Sequence, residues 1–330
     1  MQIQVSELIV RFMERLGIET VFGMPGAHIL PVYDGLYDSP IKTVLAKHEQ
    51  GAAFMACGNS RASQKISGCL ATAGPGATNL VTGIANAFAD KLPVLAITGE
   101  APTYIFGKGG LQESSGEGGA ISQSELVRSI THYCKLIERT DYLPGVLNQA
   151  AKVLLADTPG PVLLSIPYNV QKEMVDEAIL DQVRTQESGT ANIEASARIP
   201  ELVQLLKSAR HPVIIAGYGC IKSGAQNKLE KLSSLLDIPV ATSLKGKGSV
   251  DEQGPLSLGC LGVTTRGYAF NYIKDHADVI LFLGAAFNER TSYVWKNSML
   301  DNKKIAQVDN NPGQIEKVYR ADLAICGDIH

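Results

Sequence analysis

Residues 66–99 read ISGCLATAGPGATNLVTGIANAFADKLPVLAITG and set the fold class of the chain. An apolar run at 66–72 ends in the Gly-Pro-Gly turn 74–76, helix-forming residues continue to about Asp90, and a second apolar run covers 93–98. A strand, a helix and a second strand in this order form a βαβ unit, in which the two strands are parallel. The stretch therefore predicts an α/β domain built on a parallel sheet.

The segments on either side repeat this alternation of strands and helices. Apolar residues recur at spacings of three and four at the start of the chain, which predicts an amphipathic helix that ends near Gly17. Shorter apolar runs without that period predict buried strands. In order, we predict a helix at 5–16, strands at 19–22 and 42–46, a helix at 49–62, the βαβ unit, a helix at 142–156 and a strand at 161–166.

The composition changes after Pro167. Residues 171–194 are polar and acidic and include the run Gln186-Glu-Ser-Gly189, which is typical of an interdomain linker. We therefore expect two doubly wound α/β domains with parallel sheets, 1–170 and 195–330, joined by this linker. The elements predicted in the second domain are a helix at 199–209 and strands at 212–216, 239–242, 279–283 and 304–308.

The composition excludes several classes of protein. The 330 residues carry 30 basic and 33 acidic side chains, so the formal net charge of -3 gives no basic surface for nucleic acid or for an anionic membrane. No apolar run approaches the ~18–20 residues that span a bilayer, and the first residues lack the basic and apolar regions of a secretion signal. The six cysteines stand singly without a CxxC pair, which predicts reduced thiols in a cytoplasmic protein.

Glu49 is a candidate catalytic residue because it lies between a predicted buried strand and the helix that follows it. Ala52, Ala53 and Phe54 come next, so the carboxyl group would lie at an otherwise apolar boundary. Such a group would have a raised pKa and could exchange a proton near neutral pH. The helix dipole also favours an acidic residue at any helix N-terminus, and the spacing leaves both interpretations open.

Three glycine-containing segments follow predicted strands. The loop 72–79 would let its backbone approach a flat or anionic ligand, or would simply be a tight turn, and it lacks the Lys-Ser/Thr of a P-loop. Gly217-Tyr-Gly219 resembles the start of a dinucleotide fingerprint, but Lys222 stands in the place of the third glycine, and Asp237 is the candidate ribose acid. A strand-to-helix turn is the alternative there.

The longest glycine-rich segment covers residues 107–119, after the strand at 93–98. Loops of this length are either functional or flexible insertions, and the carboxyl ends of parallel strands are where α/β sheets bind ligands. His28, His48 and His132 show no HExxH or other metal-ligand spacing, and the chain has no GxSxG elbow. We therefore predict no metal site formed by protein side chains alone and no serine hydrolase.

Long segments of the chain, in order, resemble acetolactate synthase-type thiamine diphosphate enzymes. The resemblance covers almost the whole chain and implies a pyrimidine-binding N-terminal domain followed by a Rossmann-like central domain. The segments that carry it are VFGMPGAHILPVYDGL (21–36), AKHEQGAAFMACGNSRAS (46–63), residues 69–99 and Leu111-Gln-Glu113 in the first domain, and PVIIAGYG (212–219), IPVATSLKGKGSVDEQGPLSLGCLG (238–262), ADVILFLGAAFNER (277–290) and IAQVDNNPGQIEK (305–317) in the second.

The resemblance implies a role for each matching residue of the first domain. Glu49 matches the family glutamate that hydrogen-bonds N1′ of the aminopyrimidine and so promotes formation of the ylide at thiazolium C2. Gln112 matches the glutamine that faces the reacting carbon. His28 stands where some carboligases, such as benzaldehyde lyase, have a histidine, and it is the third candidate catalytic residue. The residues that match the lining of the pyrimidine pocket are Pro25, Gly26, Thr72, Gly74, Pro75, Gly76 and Asn79.

The resemblance also implies a reaction and a second ligand. The ylide would attack a 2-oxo acid, CO2 would leave, and the acyl-anion enamine would add to a second carbonyl compound. The central domain would bind FAD, an adenine nucleotide or no ligand. Its candidate binding residues are Gly217, Gly219, Leu244, Gly284 and Asp309.

Several positions depart from the family pattern, so the donor and acceptor substrates stay open. Leu111 replaces a phenylalanine, residues 114–125 look like an insertion, and His132-Tyr stands where the family has Lys-His. Ala286 replaces an arginine of the central domain, which leaves FAD binding open as well.

The family holds the cofactor's diphosphate and Mg2+ in a C-terminal domain with a Gly-Asp-Gly…Asn motif, of which this sequence has only Gly327-Asp. The resemblance therefore implies a further domain or a separate subunit, inactivity without it, and a homodimer or tetramer, because the family's active site forms between subunits. An alternative is a nucleotide- or FAD-binding regulatory subunit without catalysis of its own. A further alternative, an NAD-dependent oxidoreductase, is supported by Gly217 and Gly219 alone.

Overall fold

Two six-stranded sheets, each with all of its strands parallel, form the framework of the computed structural model, which describes residues 1–183 and 193–330. The chain divides into two units, Met1–Glu187 and Ser188–His330. The predicted α/β class with parallel sheets is confirmed. The run Gln186–Gly189, which suggested a linker, lies outside the described residues.

The first unit contains the sheet predicted from residues 66–99. Its strands are β1 (Gln2–Gln4), β2 (Thr20–Gly23), β3 (Lys42–Leu45), β4 (Ser67–Ala71), β5 (Val94–Glu100), β6 (Tyr133–Leu136), β7 (Val162–Pro167) and β8 (Met174–Asp176). Its helices are α1 (Val5–Arg15), α2 (Leu30–Tyr37), α3 (Glu49–Ser63), α4 (Pro75–Asn79), α5 (Val81–Asp90), α6 (Gln123–Arg128), α7 (Leu143–Leu154) and α8 (Tyr168–Gln171). The strand order in the six-stranded sheet is β3-β2-β4-β5-β7-β6.

Helices cover both faces of this sheet. Successive side chains of a strand point to opposite faces, so Leu70 and Ile97 join the apolar core under α1, α2 and α7, while Cys69 and Ala96 join the core under α3 and α5. A parallel sheet that is buried on both faces reads as a continuous apolar run in sequence. This is why residues 66–72 and 93–98 were recognisable as strands.

The first unit extends beyond the predicted boundary at residue 170. β8 pairs with β1 in an antiparallel ribbon, in which Val175 lies opposite Ile3 and both side chains are buried. The short 3-10 helix Glu177–Gln182 follows, and Arg15 of α1 donates to the Leu180 carbonyl at 2.6 Å. Residues 174–182 were assigned to the linker, but these contacts attach them to α1 and β1.

The second unit repeats the architecture with its own sheet. Its strands are β9 (Pro212–Ala216), β10 (Val240–Thr242), β11 (Ser257–Cys260), β12 (Val279–Leu283), β13 (Lys304–Asp309) and β14 (Leu323–Cys326). Its helices are α9 (Ile193–Ser208), α10 (Tyr218–Lys222), α11 (Gln226–Leu236) and α12 (Tyr268–His276), with short 3-10 helices at Leu244–Gly246 and Asn297–Met299. The strand order is β11-β10-β9-β12-β13-β14. No helix in the described part of the chain is long and apolar enough to cross a membrane.

The order of the strands reverses between β2 and β4 in the first unit and between β9 and β12 in the second. The first sheet has a further reversal at its edge, where β7 lies between β5 and β6. Loops that leave the two strands at such a point run in opposite directions and open a crevice at the carboxyl ends of the strands. The two crevices are therefore the places in which to look for ligand sites.

Asp278 joins two turns of the second unit. Its carboxylate accepts hydrogen bonds from the backbone N–H groups of Arg210, at 2.7 Å, and His211, at 2.9 Å, just before β9. Burial alone would raise the pKa of Asp278, but these backbone hydrogen bonds outweigh it and hold the pKa below its ordinary value. A depressed pKa in the folded state adds stability above the ordinary aspartate pKa of about 3.9, and that stability is lost as the pH falls through the folded value.

We expect Asp278→Asn to lower the free energy of unfolding of the second unit by about 1–2 kcal/mol at neutral pH, because the amide cannot accept both backbone N–H groups. The difference from the unsubstituted protein should shrink in acid. Urea unfolding can be followed by the fluorescence of the single tryptophan, Trp295, which lies in this unit. Asp275→Asn, at an exposed position, is the control. A loss that is equal at neutral and acidic pH would contradict the assignment.

Candidate active site

Glu49 is the first residue of α3, directly after the loop that follows β3. Its side chain is buried although it carries a carboxylate, and the helix dipole favours a negative charge at this position. The preceding residue, His48, caps the helix by accepting a hydrogen bond from Gln50 N–H at 3.2 Å. The Asn79 side chain, at the end of α4, donates to Glu49 Oε2 at 2.9 Å. The predicted catalytic acid and a predicted pocket residue therefore meet directly.

The loop after β4 is packed tightly against the loop after β2. A Cβ atom placed on Gly26 would lie 2.6 Å from Thr72 Cβ, and one placed on Gly76 would lie 2.8 Å from Thr72 Cγ2 and 3.4 Å from Glu49 Oε1. A larger residue at Gly26 would clash with the loop after β4, and one at Gly76 would crowd Thr72 of its own loop. Glycine at these positions therefore lets the two loops pack together, with Gly76 beside the Glu49 carboxylate.

His28, Thr72 and Gln112 form a second polar group in the same crevice. The Thr72 hydroxyl lies 3.3 Å from Gln112 Oε1, and the His28 ring nitrogen Nδ1 lies at the same distance from that oxygen. The backbone N–H of His28 donates to Thr72 Oγ1 at 3.3 Å. Residues that are 40 and more positions apart in sequence are therefore held side by side.

Gly74 brings the Gln112 loop against the loop after β4. Gly74 has a φ of +56°, and a Cβ atom there would lie 2.9 Å from the Gln112 carbonyl oxygen. Gln112 itself has a φ of +56°, in the left-handed region that residues other than glycine seldom adopt. Backbone strain of this kind is concentrated at functional sites.

The crevice thus brings together most of the residues predicted for it. Glu49, Asn79, Thr72, His28 and Gln112 make the side-chain contacts described above. Of the remaining pocket candidates, Gly26, Gly74 and Gly76 form the packed turns, while Pro25 and Pro75 are exposed at the rim.

The 107–119 segment is an ordered turn around Glu113. The Glu113 carboxylate accepts hydrogen bonds from the backbone N–H groups of Gly107 and Gly110 and from the Ser115 hydroxyl, and the backbone hydrogen bonds lower its pKa. Leu111, at the tip, exposes 72% of its surface. This turn presents Gln112 to the crevice with an apolar side chain beside it.

Sequence reasoning missed two groups at this site. The Tyr33 hydroxyl, buried beneath the crevice beside Gly23, has no hydrogen-bond partner among the described residues, and burial raises its pKa. Ser114 accepts a hydrogen bond from the backbone N–H of Gly74 at 3.2 Å. Tyr33 lies on the buried face of α2 and reads as an ordinary core residue. Ser114 lies in the predicted insertion, where no family pattern applies.

The described residues contain no cluster of three or more His, Cys, Asp or Glu side chains that could hold a metal ion. Two of the histidines that were considered as metal ligands make structural contacts. His48 caps α3, and the His132 ring packs edge-on against Phe88 at a centroid distance of 5.1 Å. Burial lowers the pKa of His132.

The second crevice holds the residues predicted for a nucleotide. Gly217 and Gly219 follow β9, Gly284 follows β12, Leu244 follows β10, and Asp309 ends β13, so all five lie at the carboxyl edge of the sheet. The predicted ribose acid was wrong. Asp237 precedes β10 as the C-terminal cap of α11, and it therefore lies at the opposite edge of the parallel sheet.

The glycines of this second crevice pack against one another. Gly219 N–H donates to the Gly284 carbonyl at 3.1 Å. A Cβ atom on Gly219 would lie 2.7 Å from Gly284 Cα, and Gly284, with a φ of +54°, has Ile329 within 2.6 Å of its own Cβ position. Asp309 Oδ1 accepts from Asn311 N–H at 2.9 Å. Close backbone packing accounts for all three glycines without a ligand.

The sequence matches the model of "Thiamine pyrophosphate enzyme, N-terminal TPP binding domain" over residues 3–120 and that of "Thiamine pyrophosphate enzyme, central domain" over residues 199–330. The first match contains Glu49, Asn79 and Gln112. The second contains the crevice of the second unit. Both predicted domain types are therefore confirmed.

Curated relatives carry acetolactate synthase names. The chain is 36% identical to the probable acetolactate synthase large subunit of Methanococcus aeolicus and 34% identical to the acetolactate synthase of Arthrospira platensis, with 98% and 97% of the chain aligned. It is 36% identical over 98% of its length to the acetolactate synthase isozyme 1 large subunit of Escherichia coli (strain K12). These alignments cover 53%, 55% and 56% of the three relatives, so the chain spans about half their length.

The contact between Gly74 and Gln112 can be tested with a matched pair of substitutions. Gly74 and Gly109 both have positive φ, but only Gly74 has a neighbour within 4 Å of its Cβ position. Gly109→Ala incurs the cost of about 1–2 kcal/mol for a residue with positive φ, whereas Gly74, at a φ of +56° and a ψ of -116°, has a backbone conformation that is strained for any residue with a Cβ atom. We expect Gly74→Ala to lower the free energy of unfolding of the first unit by about 1–3 kcal/mol more than Gly109→Ala, because of this strain and because the added methyl group displaces Gln112.

Urea unfolding followed by circular dichroism measures this difference, and Trp295 fluorescence should be unchanged because it reports on the second unit. If both variants lose the same free energy of unfolding, the Gln112 turn moves without cost when a methyl group is added at Gly74, and the contact does not hold the turn.

Proposed function

The chain belongs to the thiamine pyrophosphate enzymes, and we propose that it forms part of a 2-oxo acid decarboxylase or carboligase of the acetolactate synthase type. In this proposal the first unit binds the aminopyrimidine of thiamine diphosphate. The observation that carries the proposal is the hydrogen bond from half-buried Asn79 to the buried Glu49 carboxylate, beside the strand-order reversal between β2 and β4.

The residues of the crevice suit a flat, polar ring. Cβ atoms on Gly26, Gly74 and Gly76 would clash with Thr72 or Gln112, so these glycines let the turns pack closely together beside one buried carboxylate, Glu49. Asn79 engages Glu49 Oε2, and Oε1 lies toward Gly76. A ring nitrogen that carries or accepts a proton fits such an oxygen. The match of residues 3–120 to a domain that binds this cofactor supports the same choice.

When bound, thiamine diphosphate supplies a carbon nucleophile for the carbonyl group of a 2-oxo acid. Glu49 would hold and exchange a proton at the pyrimidine nitrogen N1′, since a carboxylate placed within hydrogen-bond reach of that atom can accept and return a proton. Asn79 fixes the carboxylate so that one oxygen keeps that direction. We therefore assign the proton transfer to Glu49 and its orientation to Asn79.

His28 and Gln112 would act on the substrate side of the crevice. Gln112 Oε1 is engaged by Thr72 and His28, which leaves the amide Nε2 to donate to a substrate oxygen. The exposed Leu111 next to it offers an apolar contact for the acceptor. We propose His28 and Gln112 as the groups that orient the donor and acceptor carbonyl compounds.

The diphosphate of the cofactor and its Mg2+ ion would be bound by other parts of the enzyme. Because the curated relatives are about twice as long as the chain, we propose that Mg2+ and the diphosphate are held by a further domain or a separate subunit. A homodimer or tetramer in the cytoplasm belongs to the same proposal, as does inactivity of these 330 residues alone.

FAD binding is the least supported part of the proposal. The space beside Gly217, Gly219 and Gly284 is occupied largely by one another's backbone atoms. These glycines therefore do not argue for a flavin or another nucleotide. The alternative function, a nucleotide- or FAD-binding regulatory subunit, also leaves the Glu49–Asn79 pair without a role. Flavin absorbance of the purified protein, together with catalysis indifferent to Glu49, is the result that favours that alternative.

Glu49→Gln tests the proposed function. In the complete enzyme that contains these residues, we expect exchange of the C2 proton of thiamine diphosphate for deuterium to slow by about 10²–10⁴-fold, because the amide cannot exchange the proton at N1′. Nuclear magnetic resonance of the quenched cofactor measures the rate. Glu138→Gln, at an exposed position, is the control. An unchanged exchange rate in Glu49→Gln would remove Glu49 from the mechanism and the proposal with it.

A further inference from the structure

Glu100, the last residue of β5, is a fully buried carboxylate that the proposed function does not use. Its two oxygens accept four hydrogen bonds. Oε1 accepts from the backbone N–H groups of Ala101, at 2.8 Å, and Ser114, at 2.9 Å. Oε2 accepts from the Ser114 hydroxyl, at 2.6 Å, and from Gln123 Nε2, at 3.0 Å.

Burial of this carboxylate is costly, which suggests that its position has a purpose. Burial raises the pKa of Glu100, although the hydrogen bonds from Ser114 and Ala101 oppose that rise. All four partners are donors, so the pattern is complete only for the ionised carboxylate. Gln123 also contacts the Ser165 hydroxyl of β7, which joins the network to the neighbouring strand.

Ser114 links this network to the candidate active site. Its hydroxyl donates to Glu100 and at the same time accepts a hydrogen bond from Gly74 N–H, at 3.2 Å. Gln112 lies only two residues before Ser114 and packs its backbone against Gly74. A single carboxylate thus holds, through one serine, the turn that carries Gln112 and the turn that begins α4.

We propose that Glu100 is a positioning residue, which acts through Ser114 to hold Gln112 and the Gly74 turn in register across the candidate pocket. The hydrogen bonds described for Glu100 go to Ala101, Ser114 and Gln123, and none goes to Glu49, Asn79 or Gln112. Its effect on cofactor and substrate rests on the proposed function, whereas the positioning itself follows from the hydrogen bonds alone.

The positioning can be measured without any ligand, by hydrogen exchange of the Gly74 amide. We expect Glu100→Gln and Ser114→Ala each to speed this exchange by about tenfold, which corresponds to the loss of one hydrogen bond of ordinary strength. The amides of β4 should keep their protection, because the sheet is not part of the network. Glu117→Gln, which removes an exposed carboxylate of the same loop, is the matched control.

Ser114→Ala is the second variant in case Glu100→Gln does not fold, because Ser114→Ala leaves the buried carboxylate in place. The proposal is wrong if Gly74 exchange is unchanged in Glu100→Gln, because Ser114→Ala removes the acceptor of the Gly74 amide directly. It is also wrong if β4 loses protection to the same degree, because Glu100 would then support the fold in general.

The link through Ser114 is tested by calorimetry, in which thiamine diphosphate with Mg2+ is titrated into the complete enzyme that contains these residues. Each single substitution should weaken binding by about tenfold. The double substitution should weaken binding no further than the larger single effect, because both remove the same connection. Additive losses would overturn action through Ser114. If the unsubstituted protein binds no cofactor, the proposed function fails, and Gly74 exchange still decides whether Glu100 positions the turn.

Discussion

The parallel pairing of β2 with β4 is the interaction on which the candidate site depends. It places the loops that leave these two strands at one edge of the sheet, although 44 positions separate the contacting residues His28 and Thr72. The pairing itself requires a small residue, since a Cβ atom on Gly68 would lie 2.6 Å from Val21 Cγ1. Because β4 is buried along its whole length, any shift of its register would expose apolar residues and move Thr72 away from His28.

The sequence predicts the elements that local patterns define, and it does not predict features that depend on residues far apart in the chain. The strand at 66–72 and the helix at 49–62 were predicted within two residues of β4 and α3, because local apolar patterns define them. The strands missed were β1, β6, β8, β11 and β14, since short strands at sheet edges carry no such pattern. Glu49 was recognisable from its local position. Glu100 was not, because its partners Ser114 and Gln123 lie 14 and 23 residues away.

The second unit shows that one glycine pattern can serve two purposes. Gly217-Tyr-Gly219 predicted a nucleotide site because glycine lets a backbone come close to a phosphate. In the structure the same freedom lets β9 and β12 bring their following turns into contact, with Gly284 in the left-handed region. The deciding neighbour is 65 residues from Gly219, so the local sequence could not distinguish a turn that meets a ligand from one that meets another turn.

Two buried carboxylates of the same domain can differ in function because their surroundings differ. Glu100 accepts four hydrogen bonds, two on each oxygen, so neither oxygen has room for a proton without the loss of a partner. Such a group suits a fixed attachment point. Glu49 accepts one side-chain hydrogen bond, from Asn79, and its other oxygen lies toward Gly76. A carboxylate that is held at one oxygen suits proton exchange with a ligand at the other. The hydrogen-bond partners therefore assign the roles of positioning and proton transfer, which burial alone would leave undistinguished.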